Sequence, residues 1–380
     1  MKILTCFWVA VFAGALGAAQ AGEPAKPAPA TDAEKKADLD KETPEQKALR
    51  AELEAAAKAG QKIAFNANCD GVDRVYIVKA DGSELKCLTP GPDGGAYPHI
   101  SPDGTKMVYN RGGWGKPVSK DVLAKLPCDP NFPLTDARRS DAREGGSVVC
   151  IAPSGGGEET VLAAGCLPHW SPDGKKLAYT VQYGPTRNDW KVAIFDVEAK
   201  KEYILPNPPV SKVVFFPCFT PDGKQLLLSN RGPATCVDLN AEGTGLAEPV
   251  KIVKLGVSPD GGCNLEVSRD GKWVSWVVDT YGEAGGWLYY GAFANGKASG
   301  CKSLELGWDK ASVNYYPDFS PDSKYLVYVH AEQQKGTASY AIKARQDIYA
   351  TRFPDCKATV RLTWTNAATQ HPHWWGSPAK

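Results

Sequence analysis

Six places along the chain put a residue able to ligate a metal or move a proton in the same setting. They are His99 in "YPHISPDGTKMVYN", His169 in "LPHWSPDGKKLAYT", Cys218 in "FPCFTPDGKQLLLSN", Glu266 in "NLEVSRDGKWVSWVV", Asp318 in "YPDFSPDSKYLVYVH" and His373 in the terminal "QHPHWW". Each follows a Pro, except Glu266, which follows Leu265. Imidazole, carboxylate and thiol are side chains that hold a borderline divalent ion such as Mn²⁺, Fe²⁺ or Zn²⁺, and imidazole and carboxylate also act as general acids and bases. Four of the five histidines lie in or beside these positions, His371 being the neighbour. What matters is whether the fold brings them together.

The spacing says that it does. Successive positions are 70, 49, 48, 52 and 55 residues apart, and a period near about 50 marks a propeller or a related repeat array. Within each copy, Ser-Pro-Asp-Gly suits a tight turn: Pro presets φ at the first corner, Asp bonds back to the backbone and Gly accepts the left-handed exit. Apolar runs on either side make a hairpin. A third run ("RVYIVKA", "KVAIFDV", "QDIYATR") and a fourth ("LKCLT", "ATVRLT") complete four antiparallel strands. The expected fold is all-β, a six-bladed propeller spanning 61–380. Its innermost strands surround the axis, so the six positions should ring the mouth of the channel. The first blade lacks an innermost strand, and "QHPHWW" supplies it: the chain end is predicted to close the ring as a latch that hides two sheet edges.

Those residues carry a family resemblance. The Ser-Pro-Asp-Gly turns, "SNR" at 229–231 and "VYIVKADGSELKCLT" are similar to the WD40-like repeats of TolB-type β-propellers over about residues 61–380. That resemblance implies a binding or scaffolding module that takes a protein, a peptide or an acidic oligosaccharide. A shorter stretch, the His-Pro-His run at 371–373, resembles the oligogalacturonate lyase propellers, in which histidines of an inner strand bind a catalytic manganese. The alternative it implies is a metal-dependent polysaccharide lyase. Its ion would sit on His371, His373, Asp318 and Glu266, with Asp318 where that family places a further His, and His99 or His169 would act as general base.

Loops between second and third strands should share one face, and the 111–146 insertion is the longest of them. They carry Arg111, Trp114, Tyr183, Arg187, Arg231 and Tyr281, a set suited to sugar carboxylates, pyranose faces or a peptide.

The remainder of the chain sets the context. Lys2, the apolar 3–16 stretch and Ala19-Gln20-Ala21 read as a secretory signal over 1–21. Residues 22–42, rich in Pro, Ala and charge, read as a flexible linker. Residues 43–60 read as a helix, with Thr43 as N-cap, Pro44 in the first turn and Gln46 completing a capping box. No later segment approaches the length of a membrane span. Beyond the signal lie ten of the eleven cysteines. In an exported chain an even number predicts disulfides, with Cys218 and Cys236 of one blade as a candidate pair. Lys and Arg total 44 against 43 acidic residues, a net charge of +1, which gives no reason to expect nucleic acid as partner. No Gly-x-Ser-x-Gly elbow, phosphate-binding Gly-Lys loop or haem-attachment motif is present.

Overall fold

The repeated turns build the molecule hairpin by hairpin. The structure, a computed structural model, describes residues 30–68, 71–112, 118–126, 147–182, 190–206, 214–230, 234–256, 262–279, 286–306, 312–331, 346–365 and 367–377. In the first complete repeat the Ser101 hydroxyl donates to Asp103 Oδ1 (2.6 Å) and accepts from the Lys106 N–H (2.9 Å). Asp103 accepts the Thr105 N–H (3.0 Å), and Gly104 takes φ +73°. The same hydroxyl–carboxylate bond recurs at Ser171–Asp173, Thr220–Asp222, Ser268–Asp270 and Ser320–Asp322, at 2.6–2.7 Å.

These turns join the first two strands of successive sheets. Helices α1 (Asp32–Asp40) and α2 (Pro44–Lys58) precede β1 (Lys62–Asn68), β2 (Asp73–Lys79) and β3 (Lys86–Cys87). The next sheet contains β4 (Ala96–Ile100), β5 (Lys106–Arg111), β6 (Val148–Pro153) and β7 (Thr160–Ala164), with helix α3 (Lys120–Leu123) between β5 and β6. Then come β8 (Cys166–Trp170), β9 (Lys176–Gln182), β10 (Trp190–Asp196) and β11 (Lys201–Ile204). Strands β12 (Val214–Phe219), β13 (Gln225–Asn230), β14 (Thr235–Asp238) and β15 (Ile252–Lys254) follow. After them lie β16 (Cys263–Val267), β17 (Trp273–Asp279), β18 (Gly286–Ala294) and β19 (Lys297–Ser303). The chain finishes with β20 (Val313–Phe319), β21 (Tyr325–Ala331), β22 (Gln346–Arg352), β23 (Thr359–Arg361) and β24 (Ala368–Trp375).

Four of the sheets are four-stranded and antiparallel; the fifth has eight strands. That sheet consists of β20–β23 on one side and β24, β1, β2 and β3 on the other, joined by one parallel pair, Gln346↔Ala368. The chain end runs antiparallel to its beginning, from Lys62↔Trp375 to Asn68↔Ala368. This is an all-β propeller in which the last strand supplies the inner edge of the first sheet.

Trp374 shows why that strand stays in place. It is fully buried, donates its indole N–H to Gln61 Oε1 (2.9 Å) and packs among Ile63, Phe65, Val327 and Ile348. Trp375 lies over the turn of the neighbouring sheet, where Gly104 has no Cβ to meet it.

Residues 30–42 depart from the linker expected over 22–42. Thr31 caps α1 through a capping box with Glu34. Asp38 of that helix receives Arg361 (2.9 Å) and the Trp364 indole N–H (3.0 Å). Ion pairing to the sheet overrides a composition that alone reads as unstructured. Helix α2 is capped by Thr43 and Gln46. Its apolar stripe, Leu49, Leu53, Ala56 and Ala57, is buried in the cluster that holds Trp374. Glu52 bonds Arg352 (2.6 Å) and the Tyr325 hydroxyl (2.7 Å) at its edge. Residues 1–29, including the expected signal, lie outside the described residues. Among the described residues no helix is long and apolar enough to cross a membrane.

The disulfide expectation needs correction. Cys87, Cys150, Cys218, Cys236, Cys301 and Cys356 are free; Cys69 and Cys128 lie outside the described residues. Cys218 and Cys236 cannot pair because both register with Leu227, on opposite sides of β13. Two strand spacings separate them, roughly 9–10 Å, beyond the roughly 7 Å that a disulfide spans between Cα atoms.

Candidate functional site

The ring residues sit on six different strands: His99 on β4, His169 on β8, Cys218 on β12, Glu266 on β16, Asp318 on β20 and His373 on β24. A bulge presents each of them. In β4 the register passes from Ala96↔Asn110 to His99↔Val108, so one extra residue is inserted. The same break falls at 166/169, 215/218, 263/266, 315/318 and in β24. At each bulge the residue two before the ring position has left-handed backbone: Tyr97 (φ 54°), Leu167 (58°), Phe216 (47°), Asn264 (51°), Tyr316 (56°) and His371 (51°). A non-Gly residue there costs of order 1 kcal/mol or more, so it persists only where the surroundings enforce it. At five of the six bulges the intervening residue is a Pro, which lacks an N–H and so leaves no ladder bond unmade; Leu265 takes that place before Glu266. Neighbouring sheets help hold the geometry: Asn66 and Asn110 accept from the bulge N–H of Tyr97 (3.3 Å) and Leu167 (3.4 Å) in the following sheet.

The bulge creates a second tier that the sequence reading missed, although the residue before each inner-strand Pro marks it. The ring residues are next to the Ser-Pro-Asp-Gly turns, at the end of the inner strands and not at the mouth first expected. His371 belongs to the bulge tier, between the rings of Tyr97 and Tyr316 with both centroids 3.7 Å away. Its two ring nitrogens are buried with no hydrogen-bond partner. Burial holds its pKa well below the usual histidine range.

The imidazoles of the ring lie against one another. The imidazole of His99 lies 3.7 Å from that of His373 and 4.2 Å from that of His169, centroid to centroid. Burial, then the neighbouring His373 and His169, push the His99 pKa far down. His373 donates from Nδ1 to Asp318 Oδ2 (3.0 Å), and its pKa lies below the usual histidine range because burial outweighs the pull of that carboxylate. Burial alone would raise the Asp318 pKa; Arg269 and His373, with the N–H of Trp374 (2.6 Å), together draw it below the usual range. Phe319 N–H donates to its other oxygen (2.8 Å). Arg269 was also missed. It replaces the Pro of the turn in "SRDG", and its guanidinium reaches Asp318 (3.7 Å) and the Trp374 carbonyl (3.4 Å).

On the other arc His169, Cys218 and Glu266 offer ligand atoms all within 4.8 Å of one another. His169 Nε2 is 3.7 Å from Glu266 Oε2, and Cys218 Sγ is 3.6 Å from the same oxygen. His169 Nδ1 lies 2.9 Å from the Trp170 carbonyl, which can only accept, so Nδ1 carries the proton and Nε2 a lone pair. That nitrogen is buried and unpartnered. Burial, then Glu266, raise the Cys218 thiol well above its ordinary pKa.

The expected metal set is thus divided: Asp318 and His373 bond each other, His371 occupies the other tier, and Glu266 faces His169 and Cys218. Arg111, expected to bind ligand, is taken up by Glu159 (2.7 Å from both carboxylate oxygens to Nε) and the Gly94 carbonyl. Trp114, Tyr183, Arg187, Arg231 and Tyr281 lie outside the described residues. At the turn end of the axis a cleft of about 1080 Å³ opens between repeats, with Arg269, Lys224, Phe293 and Glu242 in its walls.

No family model matches the chain. The uncharacterized protein Atu1656 of Agrobacterium fabrum is 31% identical over 129 residues, 33% of this chain and 38% of that protein. The chain therefore aligns with under two fifths of that relative's length. The crystal structure of TolB from Acinetobacter baumannii superposes with a TM-score of 0.57 at 16% identity, over 83% of this chain and 67% of that one. A putative TolB from Agrobacterium tumefaciens matches with a TM-score of 0.33 at 14% identity, over 83% and 87%. In fold, the chain resembles the TolB-type β-propellers.

Proposed function

We propose that the chain is an exported, six-bladed binding propeller that holds a protein or peptide partner and performs no chemistry on it. In this reading the eight-stranded sheet counts as two blades that share the seam. The observation that carries it is the cleft of about 1080 Å³ at the turn end of the axis. That volume is at or beyond the upper end for a small-molecule pocket, roughly 1,000 Å³. Its walls are turns that mix Phe219, Leu239 and Phe293 with charge, and five carboxylates, Asp238 and Glu242 among them, outnumber Lys176, Lys224 and Arg269. That balance favours a basic peptide segment over an acidic oligosaccharide. The ring supports the same conclusion. Its imidazoles are buried against one another, which keeps His99 and His169 from the solvent-facing surface where a polysaccharide would meet a general base.

The test is direct binding of basic peptides, acidic peptides and uronic-acid oligosaccharides to the intact chain at low and raised salt. The expected result is salt-sensitive binding of basic peptides, weakened about tenfold by Glu242→Lys, a loss of roughly 1.4 kcal/mol. A preference for uronic-acid oligosaccharides, or unsaturated products when Mn²⁺ is added with them, would restore the lyase alternative.

A further inference from the structure

We infer that His169, Cys218 and Glu266 form a zinc site on the axis, distinct from the cleft and from the His371–His373–Asp318 set. The unpartnered His169 Nε2 is where the argument starts. Its lone pair is buried, 3.7 Å from a carboxylate oxygen that lies 3.6 Å from the Cys218 sulfur. The Cys218 thiol donates to that oxygen, which leaves the imidazole lone pair facing a carboxylate with no proton between them, and 3.7 Å is too long for a hydrogen bond. A cation that displaces the thiol proton would engage all three atoms and satisfy that lone pair.

The spacing suits zinc. Bonds of about 2.0–2.1 Å to nitrogen, 2.0–2.2 Å to oxygen and 2.3 Å to sulfur in a tetrahedron place ligand atoms roughly 3.3–3.7 Å apart. The nitrogen–oxygen and sulfur–oxygen separations already fall there, and the third edge is within 4.8 Å. The supporting shell is also in place. The Trp170 carbonyl takes the Nδ1 proton of His169 (2.9 Å), which orients the ring and leaves Nε2 as the donor, the arrangement common to metal-bound histidines. Cys218 gives up its proton on ligation. One thiolate and one carboxylate then neutralise a divalent ion, which suits a buried position. The sulfur also selects the metal: thiolate favours zinc over manganese, which prefers oxygen donors. Water or a small anion completes the fourth position. Because the ligands come from β8, β12 and β16, three separate sheets, the ion would staple three sheets together at the axis.

The experiment uses the full untagged chain, reduced, stripped with chelator and titrated with Zn²⁺, Mn²⁺ and Co²⁺. One zinc per chain should bind, raise the melting temperature as its concentration rises, and be displaced by Co²⁺ with a thiolate-to-metal absorption band. Cys218→Ala should abolish the band and weaken zinc by about 100-fold or more, since even supporting residues contribute about 10–100-fold. Should that variant fail to fold, Glu266→Gln supplies the same reading, weaker binding and a shifted cobalt spectrum. His373→Ala should leave zinc bound. No zinc on the intact chain, a thiolate band that survives Cys218→Ala, or zinc lost in His373→Ala but kept in Cys218→Ala would each overturn the site.

Discussion

His371 is a buried imidazole with nothing to bond, held between two tyrosine rings at 3.7 Å. A neutral imidazole always carries one N–H, and leaving a buried polar group unsatisfied costs about 1–3 kcal/mol. Burial also lowers its folded-state pKa, so the unfolded chain takes a proton that the fold refuses. Stability is therefore complete above the unfolded histidine pKa of about 6.5 and drains away as pH falls below it. His371→Phe keeps a flat ring between Tyr97 and Tyr316 and removes both penalties. Denaturant unfolding at several pH values should show that variant more stable by about 1 kcal/mol at neutral pH, with a flatter decline on acidification. An unchanged acid limb would mean that His371 titrates normally in the fold. The cysteines offer a second check at this scale. Six are free among the described residues, so the denatured, unreduced chain should titrate at least six thiols; fewer would show that bridges form after all.

Strand β24 is the element on which closure depends. Its pairing with β1 runs the length of both strands, and it brings Trp374 into the core beneath α2. Deleting 369–380 uncovers the inner edge of β1 and removes that indole. Losing one large buried aromatic typically costs about 3–5 kcal/mol, before the lost ladder is counted. The melting temperature of the truncated chain should fall steeply; one within a degree or so of the intact chain would show that the seam does not need its latch. Helix α2 works on the same core from outside. Leu53 is fully buried, and Leu53→Ala should cost about 2–5 kcal/mol by denaturant unfolding. A change below about 0.5 kcal/mol, the range of ordinary surface substitutions, would mean that the helix only rests on the sheet.

At the scale of the molecule, the repeat was legible because its turn is a local device: Ser, Pro, Asp and Gly fix the hairpin whatever lies around them. The latch was legible too, since one blade lacked a strand and the chain end supplied it. What could not be read were features set by contacts between sheets. The bulge inserts a residue that alignment of repeats does not reveal, so His371 and His373 looked like neighbours in one ring. The pairing of Arg269 with Asp318 crosses from one sheet to the next, and α1 is held by an ion pair to a strand more than 300 residues away. The same division into sheets makes a prediction about energetics. Buried residues fall into separate clusters, with Leu53 and Trp374 sharing one and Trp276 in another built from β12–β18. Side chains that share a core can relax into each other's vacancies, whereas distant ones cannot. Leu53→Ala combined with Trp374→Ala should therefore depart from additivity by about 0.5–3 kcal/mol, while Leu53→Ala with Trp276→Ala should add within about 0.5 kcal/mol. Equilibrium unfolding of the single and double variants decides it. Equal coupling in both pairs would mean that the propeller transmits strain around its whole ring, and that its sheets are not energetically separate units.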